Sequence, residues 1–310
     1  MMHPVPRLDA RHANPEQGTV RVSPAKLLWF GGHGLATLAA LAFITPGALL
    51  VFVASTWLLV ILGHSLGYHR LLMHGNFRTS RSLGRVFLAA GALLGTAGPT
   101  RITALHDVRD WAQRSPRCHP FHSQHTGFWR DMGWQLFCRL DLDAPPRFLP
   151  DPVWGDDAFA AHLDRWWRVW ALAPAVPLFL LGGWGWVLWG VSARIFVTNA
   201  AHWAVNHVCH DPARGHRHWD VPGNGVAASD LAPAHPVTGF ILGLVTAGEC
   251  WHSNHHAFPE SANVALARHQ FDPGYLLLKG LERIGLVWDV REARPEHDRE
   301  DILPLAPATV

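Results

Sequence analysis

From Leu27 to His69 the chain runs 43 residues without one Asp, Glu, Lys or Arg. The turn signal Ile44-Thr45-Pro46-Gly47 interrupts the run once. Residues 27–43 and 49–67 are then two apolar stretches of about 17–20 residues, each ~25–30 Å long as a helix and able to cross a bilayer. The pattern predicts a helical hairpin in a membrane. A soluble hairpin would need a large enclosing core, and charged residues make up only 16% of the 310-residue chain, against about 25% in an ordinary soluble domain.

A second hairpin follows the hydrophilic stretch between Arg101 and Arg168. Residues 167–181 lead to Gly182-Gly183, and residues 184–207 return. Two shorter apolar runs, 86–100 and 231–248, contain Gly or Pro and are expected to be interfacial or re-entrant. Trp166, Trp167, Trp170, Trp184, Trp186 and Trp189 bracket the second hairpin as an interfacial belt. The hairpin tips are uncharged, whereas Arg7, Arg11, Arg21, Lys26, Arg70, Arg78, Arg81 and Arg85 flank the other ends. By the positive-inside rule both termini and the middle segment are cytoplasmic. The polar first 25 residues predict no cleavable signal peptide. Arg194 lies deep on the fourth span without a visible partner, as a structural ion pair or a snorkelling side chain. The expected fold is an all-α integral membrane protein: four transmembrane helices in two hairpins, with a cytoplasmic helical cap. A net charge of +2 excludes a nucleic-acid binder driven by bulk positive charge. The four cysteines lack CxxC spacing and read as reduced bystanders.

Histidine is the compositional outlier, with 22 residues against 24 Asp and Glu together. His69 and His74 close the second span, and five α-helical steps set them ~140° apart. That spacing suits two neighbouring metals better than one. In Glu249-Cys250-Trp251-His252-Ser253-Asn254-His255-His256, steps of three and four put His252, His255 and His256 on one helical face, Glu249 one turn before. Three converging imidazoles suit iron or zinc, and Glu249 can orient a ligand as an acceptor. On the fourth span Asn199, His202, Asn206 and His210 form one polar stripe, which in a membrane helix faces the bundle interior. His64 reads as an extra that packs in the bundle.

These residues carry a resemblance. The chain resembles the membrane fatty acid desaturases of the acyl-CoA desaturase type (stearoyl-CoA delta-9 desaturase-like), whose histidine boxes are HxxxxH, HxxHH and HxxHH. His69-Arg70-Leu71-Leu72-Met73-His74 matches the first and His252-Ser253-Asn254-His255-His256 the third. The text from Gly248 to Ala262 and Trp288-Asp289-Val290-Arg291 also match. Asn206 and His210 match the family's NSxxH segment, where the His binds metal and the Asn acts through a water. The resemblance covers Leu27 to Arg291, giving a polar N-terminal tail over 1–25, a desaturase domain over 26–291 and a C-terminal tail over 292–310. The second box departs from the pattern. His106-Asp107-Val108-Arg109-Asp110 keeps the opening His106, but Arg109 and Asp110 replace the other two histidines. His119, His122 and His125 lie nearby as compensating ligands or as plain loop histidines. On a helix Asp110 takes the place of the final histidine, as an iron ligand or bonded beside one, whereas the Arg109 guanidinium stays protonated and cannot coordinate.

The resemblance implies a cytoplasmic site of two non-haem irons held by His69, His74, His106, His210, His252, His255 and His256, with Asn206 through water and Asp110 as a further candidate. It implies a desaturase acting on a fatty acyl chain carried by CoA, a carrier protein or a membrane lipid. The reaction takes O2 and two electrons from a separate donor, such as a ferredoxin or a cytochrome b5-type protein with its reductase. The altered second box keeps open a lipid hydroxylase on the same fold, or a non-catalytic relative. A bacterial inner membrane is the expected location.

Overall fold

The computed structural model describes residues 7–123, 126–211, 217–221, 225–226, 228–231, 236–293 and 302–304. Among these residues, three helical stretches are long and apolar enough to cross a membrane: Pro24–Phe43 (α1), Pro46–Met73 (α2) and Ala158–Cys209. Ser23 caps α1 by accepting from the Lys26 amide, and Thr45 caps α2 by accepting from the Ala48 amide at 3.1 Å. Pro24 and Pro46 sit in the first turns, where a missing N–H costs no hydrogen bond. Leu35, Leu38, Leu50, Leu180 and Leu181 are all more than 60% exposed on these stretches, a surface that hydrocarbon tolerates and water does not.

The 52-residue stretch folds back on itself. Its parts are Ala158–Leu172 (here α6) and Ala175–Val187 (α7), then a π-type turn over Leu188–Ala193 and Arg194–Cys209 (α8). Gly183 adopts φ 65°, ψ −160°, a conformation open to glycine alone. A straight helix would separate Ala171 and Arg194 by ~35 Å, yet Arg194 Nη2 donates to the Ala171 carbonyl at 3.4 Å. Arg194 also donates through Nε to Gly190 at 2.7 Å and through Nη1 to Leu93. Among the described residues it therefore forms no ion pair, and its burial rules out a snorkel. It is buried and spends its donors on carbonyls near helix ends, which would otherwise lack partners in an apolar medium.

Between the hairpins lie Arg81–Leu93 (α3), Pro99–Arg114 (α4) and Phe128–Phe137 (α5). The run 86–100 thus divides between two helices. α3 buries Gly84, Phe87, Leu88 and Gly91 and packs closely on the end of α2. A Cβ at Gly63 would stand 2.5 Å from the Ala90 carbonyl, and one at Gly67 2.6 Å from that of Phe87. After α8 come Pro236–Thr246 (α9), His252–Ala257 (α10) and Pro273–Arg283 (α11). α9 is short and apolar, and Trp57 on α2 donates to the Leu244 carbonyl at 2.9 Å.

Within the polar N-terminal stretch, residues 8–9 and 18–22 form strands. Gly18–Val22 pairs antiparallel with Cys138–Leu142, and Leu8–Asp9 with Arg147–Phe148. Near the other end Leu303–Pro304 pairs with Trp219–Asp220. Minor strands therefore accompany the helices, each a two-stranded patch that ties a terminal segment to the helical body.

Candidate metal centre

The lower half of α2, Val60–Met73, is wound as a π-helix, and the His74 amide donates to the His69 carbonyl at 3.1 Å. An i→i+5 bond places residues five apart on the same face. The α-helical expectation of two imidazoles ~140° apart is therefore corrected: their ring centroids are 4.9 Å apart. His106 on α4 adds a ring 5.0 Å from His74, and His255 on α10 brings Nε2 to 3.2 Å from His69 Nε2. One ligand nitrogen from each of His69, His74, His106 and His255 lies within 4.8 Å of the others.

A second group joins His210, at the C-terminal cap of α8, to His252 and His256 on α10, again within 4.8 Å. The Nε2 atoms of His252 and His256 are 3.1 Å apart, and the His210 ring is 4.7 and 5.0 Å from theirs. The third box does not converge on one point, as its spacing suggested. Residues 252 and 256 stand one turn apart, but 255 is rotated ~100° from 256 and faces the first group.

Both groups fit a divalent cation. Burial first, then neighbouring imidazoles, pushes His74, His210, His255 and His256 well below the ordinary histidine range, and burial takes His252 to about 3. These rings are neutral near pH 7, the form that ligates. His74 Nε2, His210 Nε2 and Asn206 Oδ1 are buried without hydrogen-bond partners among the described residues. Such atoms are costly to leave unpaired, and a cation or its water resolves the cost.

The first group is braced from behind. Glu249 Oε2 lies 2.7 Å from His69 Nδ1, while Ser65 Oγ donates to Glu249 Oε1 at 2.8 Å. Burial raises the Glu249 carboxyl, yet His69 and Arg70 together hold it well below its usual range. Glu249 thus stands beside His69 of the first box rather than beside the box it precedes in sequence. On the other side His106 Nδ1 lies 3.1 Å from Asp107 Oδ1, and Asp107 accepts both Nε (2.7 Å) and Nη2 (2.9 Å) of Arg7. Arg7 also donates to the carbonyls of Leu72 and Met73 at 2.9 and 2.6 Å. Hydrogen bonding the far nitrogen fixes the ring and raises its basicity at the near one.

Other expected residues stand apart from the two groups. Asp110 is taken by Arg114 through a bidentate pair at 2.9 and 3.1 Å. Arg109 is buried, with its guanidinium 5.1 Å from the Trp203 ring and Nη1 3.4 Å from Gln135 Oε1. His119 accepts from the Phe121 amide, and His122 packs on Phe121; His125 lies outside the described residues. Of the polar stripe, Asn199 donates to Ile195 and Leu94, and His202 rests against His64, which stacks on His69.

No family model matches the chain. It is 29% identical over 290 residues to the sn-2 palmitoyl-lipid 9-desaturase of Nostoc sp. (strain 36), covering 91% of this chain and 95% of that protein. It is 27% identical over 288 residues to the sn-1 stearoyl-lipid 9-desaturase of Synechocystis sp., covering 90% and 84%. The acyl-CoA 5-desaturase of Anemone leveillei matches at 28% over 250 residues, covering 77% and 70%. Over most of its length the chain is thus similar to acyl-lipid and acyl-CoA fatty acid desaturases.

Sequence reasoning about this chain missed the bracing residues. Arg7, Ser65, Arg70, Asp107 and Asp272 are ordinary polar residues in the chain and become informative only beside the histidines. The one local signal was adjacency, since Arg70 and Asp107 each directly follow a histidine.

Proposed function

We propose that this protein is a membrane-bound, non-haem di-iron desaturase that places a double bond in a fatty acyl chain. The convergence of seven imidazoles from four separate helices into two adjacent groups carries the reading. Two bound irons would supply the oxidising power: O2, two electrons and two protons take two hydrogens from adjacent methylenes and leave two waters. His69, His74, His106 and His255 would hold one iron. His210, His252 and His256 would hold the other, with Asn206 Oδ1 aimed at a water beside it. Glu249 and Asp107 keep His69 and His106 in the orientation that presents Nε2 to the site. Apolar helices around the groups would keep the acyl tail away from bulk water. A separate redox protein, such as a ferredoxin or a cytochrome b5-type protein, would deliver the electrons. Expression in a host lacking the activity, followed by fatty acid profiling, should show a new double bond. A new hydroxyl would favour the hydroxylase suggested by the altered second box, and an unchanged profile from iron-loaded protein with a competent donor would overturn the reading.

The same reading takes four membrane crossings in two hairpins, in a bacterial inner membrane with both termini cytoplasmic. The reversal at Gly183 and the uncharged tips support it. Reporter fusions at Pro46 and Gly183 should read as external, and those at Arg78 and the C-terminus as cytoplasmic. A cytoplasmic reading at Gly183 would sink the second crossing pair.

A further inference from the structure

Arg7 lies just before the first strand, 100 residues in the chain from the carboxylate it pairs with. Its backbone is fixed there: the Leu149 amide donates to the Arg7 carbonyl at 2.8 Å, and Leu8 pairs with Phe148. Its guanidinium spends four bonds on two targets. Nε and Nη2 hold the Asp107 carboxylate at 2.7 and 2.9 Å, while Nη1 and Nη2 donate to the carbonyls of Leu72 and Met73 at 2.9 and 2.6 Å. Each target adjoins a histidine of the first group. Asp107 follows His106 and has Oδ1 3.1 Å from its Nδ1, and Met73 precedes His74. The Asp107 side chain is 2% exposed, and among the described residues only Arg7 and His106 bond its carboxylate.

An imidazole that ligates through Nε2 is oriented by the group that holds its Nδ1, and that group must itself be held. A bidentate guanidinium fixes the plane of a carboxylate, which a single hydrogen bond does not. The carbonyls that end a helix have no amide of their own helix to bind, so Arg7 also anchors the end of α2 from which His74 projects. Without it, Asp107 would keep His106 as its one partner and could turn, and the end of α2 would lose two donors. We propose that Arg7 is a positioning residue for the first metal group, through which the segment before the first strand latches two of its four ligands, His74 and His106, in the ligating arrangement. The second group has no such tie, since the Arg7 side chain bonds Asp107, Leu72 and Met73 and nothing else among the described residues. The inference rests on the di-iron reading above and deepens it. Retention of one ion, and not of the other, depends on a residue outside the ligand set.

The test uses full-length protein in detergent, stripped with a chelator and loaded anaerobically with cobalt(II) or ferrous iron. Bound metal is then counted at graded chelator concentration. Wild type should hold two ions per chain. Arg7→Gln should loosen one of them about 10–100-fold and leave the other at its wild-type affinity. The loosened ion should be the one lost in His106→Ala and kept in His256→Ala. Asp107→Asn should loosen the same ion, and the double variant should lose no more than the larger single effect, because both act through one contact. Arg7→Lys keeps the charge but not the bidentate fork, and should recover the affinity only in part. Arg11→Gln removes an exposed pair with Asp9 in the same segment and should change neither ion. A purely structural tie would lower the unfolding midpoint of the metal-free protein and loosen both ions alike, which would overturn the inference. So would an Arg7→Gln protein that holds both ions as wild type does, or one that holds an ion more tightly, since the freed Asp107 carboxylate would then be ligating. If Arg7→Gln fails to fold, Arg7→Lys and Asp107→Asn decide by the same comparison of the two ions. Wild type without two stoichiometric ions, or His106→Ala with both retained, would instead overturn the reading of the site on which the inference rests.

Discussion

His69→Ala is expected to reduce unsaturated product to the host background, a loss of at least about a hundredfold. Removing a residue that merely orients a metal ligand costs about 10–100-fold, and His69 is itself proposed as a ligand. Its ring is the hub of the first group: Nε2 lies 3.2 Å from His255 Nε2, its centroid 4.9 Å from His74 and 6.1 Å from His106, and Nδ1 lies 2.7 Å from Glu249 Oε2. The variant should still be found in the membrane fraction, because the apolar helices that insert do not depend on it. Fatty acid profiling and bound-iron analysis of the same membranes give the answer. Product within about tenfold of wild type would show that iron is not held where these four rings meet.

The second large effect is on stability. Arg70 is almost fully buried, with Nη2 2.7 Å from Asp272 Oδ2, Nε 2.7 Å from the Ala262 carbonyl, and Nη1 on Ser65 Oγ and 3.6 Å from Glu249 Oε1. Asp272 meanwhile caps α11 through the Tyr275 amide at 2.8 Å and takes the Val264 amide at 3.2 Å. One guanidinium thus ties α2 to α11 and to the loop after α10. Arg70→Met would leave Asp272 as a buried anion without its cation, and removing one partner of such a pair costs about 3–5 kcal/mol. A clearly lower unfolding midpoint in mild detergent is expected, with earlier labelling of the buried thiols of Cys209 and Cys250. An unchanged midpoint would mean that Asp272 and Glu249 are compensated elsewhere.

The contrast between boxes shows where sequence periodicity stops being informative. An α-helical wheel puts 69 and 74 on different faces, but the π winding of Val60–Met73 brings them together. That winding accompanies the close approach of α3, where Gly63 and Gly67 meet backbone carbonyls. Likewise the wheel groups 252, 255 and 256, and the structure divides them because two different neighbours, α2 and the end of α8, meet α10 from different sides.

What the sequence by itself determined is the medium and the chemistry. Forty-three uncharged residues from Leu27 to His69 have no low-energy place except hydrocarbon, and histidines at short fixed spacings mark a metal site because so many imidazoles are costly to bury unpaired. Local patterns carry both conclusions. The tertiary structure alone decided which imidazoles share a cluster, that Arg7 just before the first strand braces His106 through Asp107, that Glu249 stands beside His69, and that Asp110 is spent on Arg114. The reason is geometric: spacing along a helix sets an angle, whereas a ligand cluster needs nitrogens from separate helices within a few ångströms. Those distances arise only when packing sets the helices against one another.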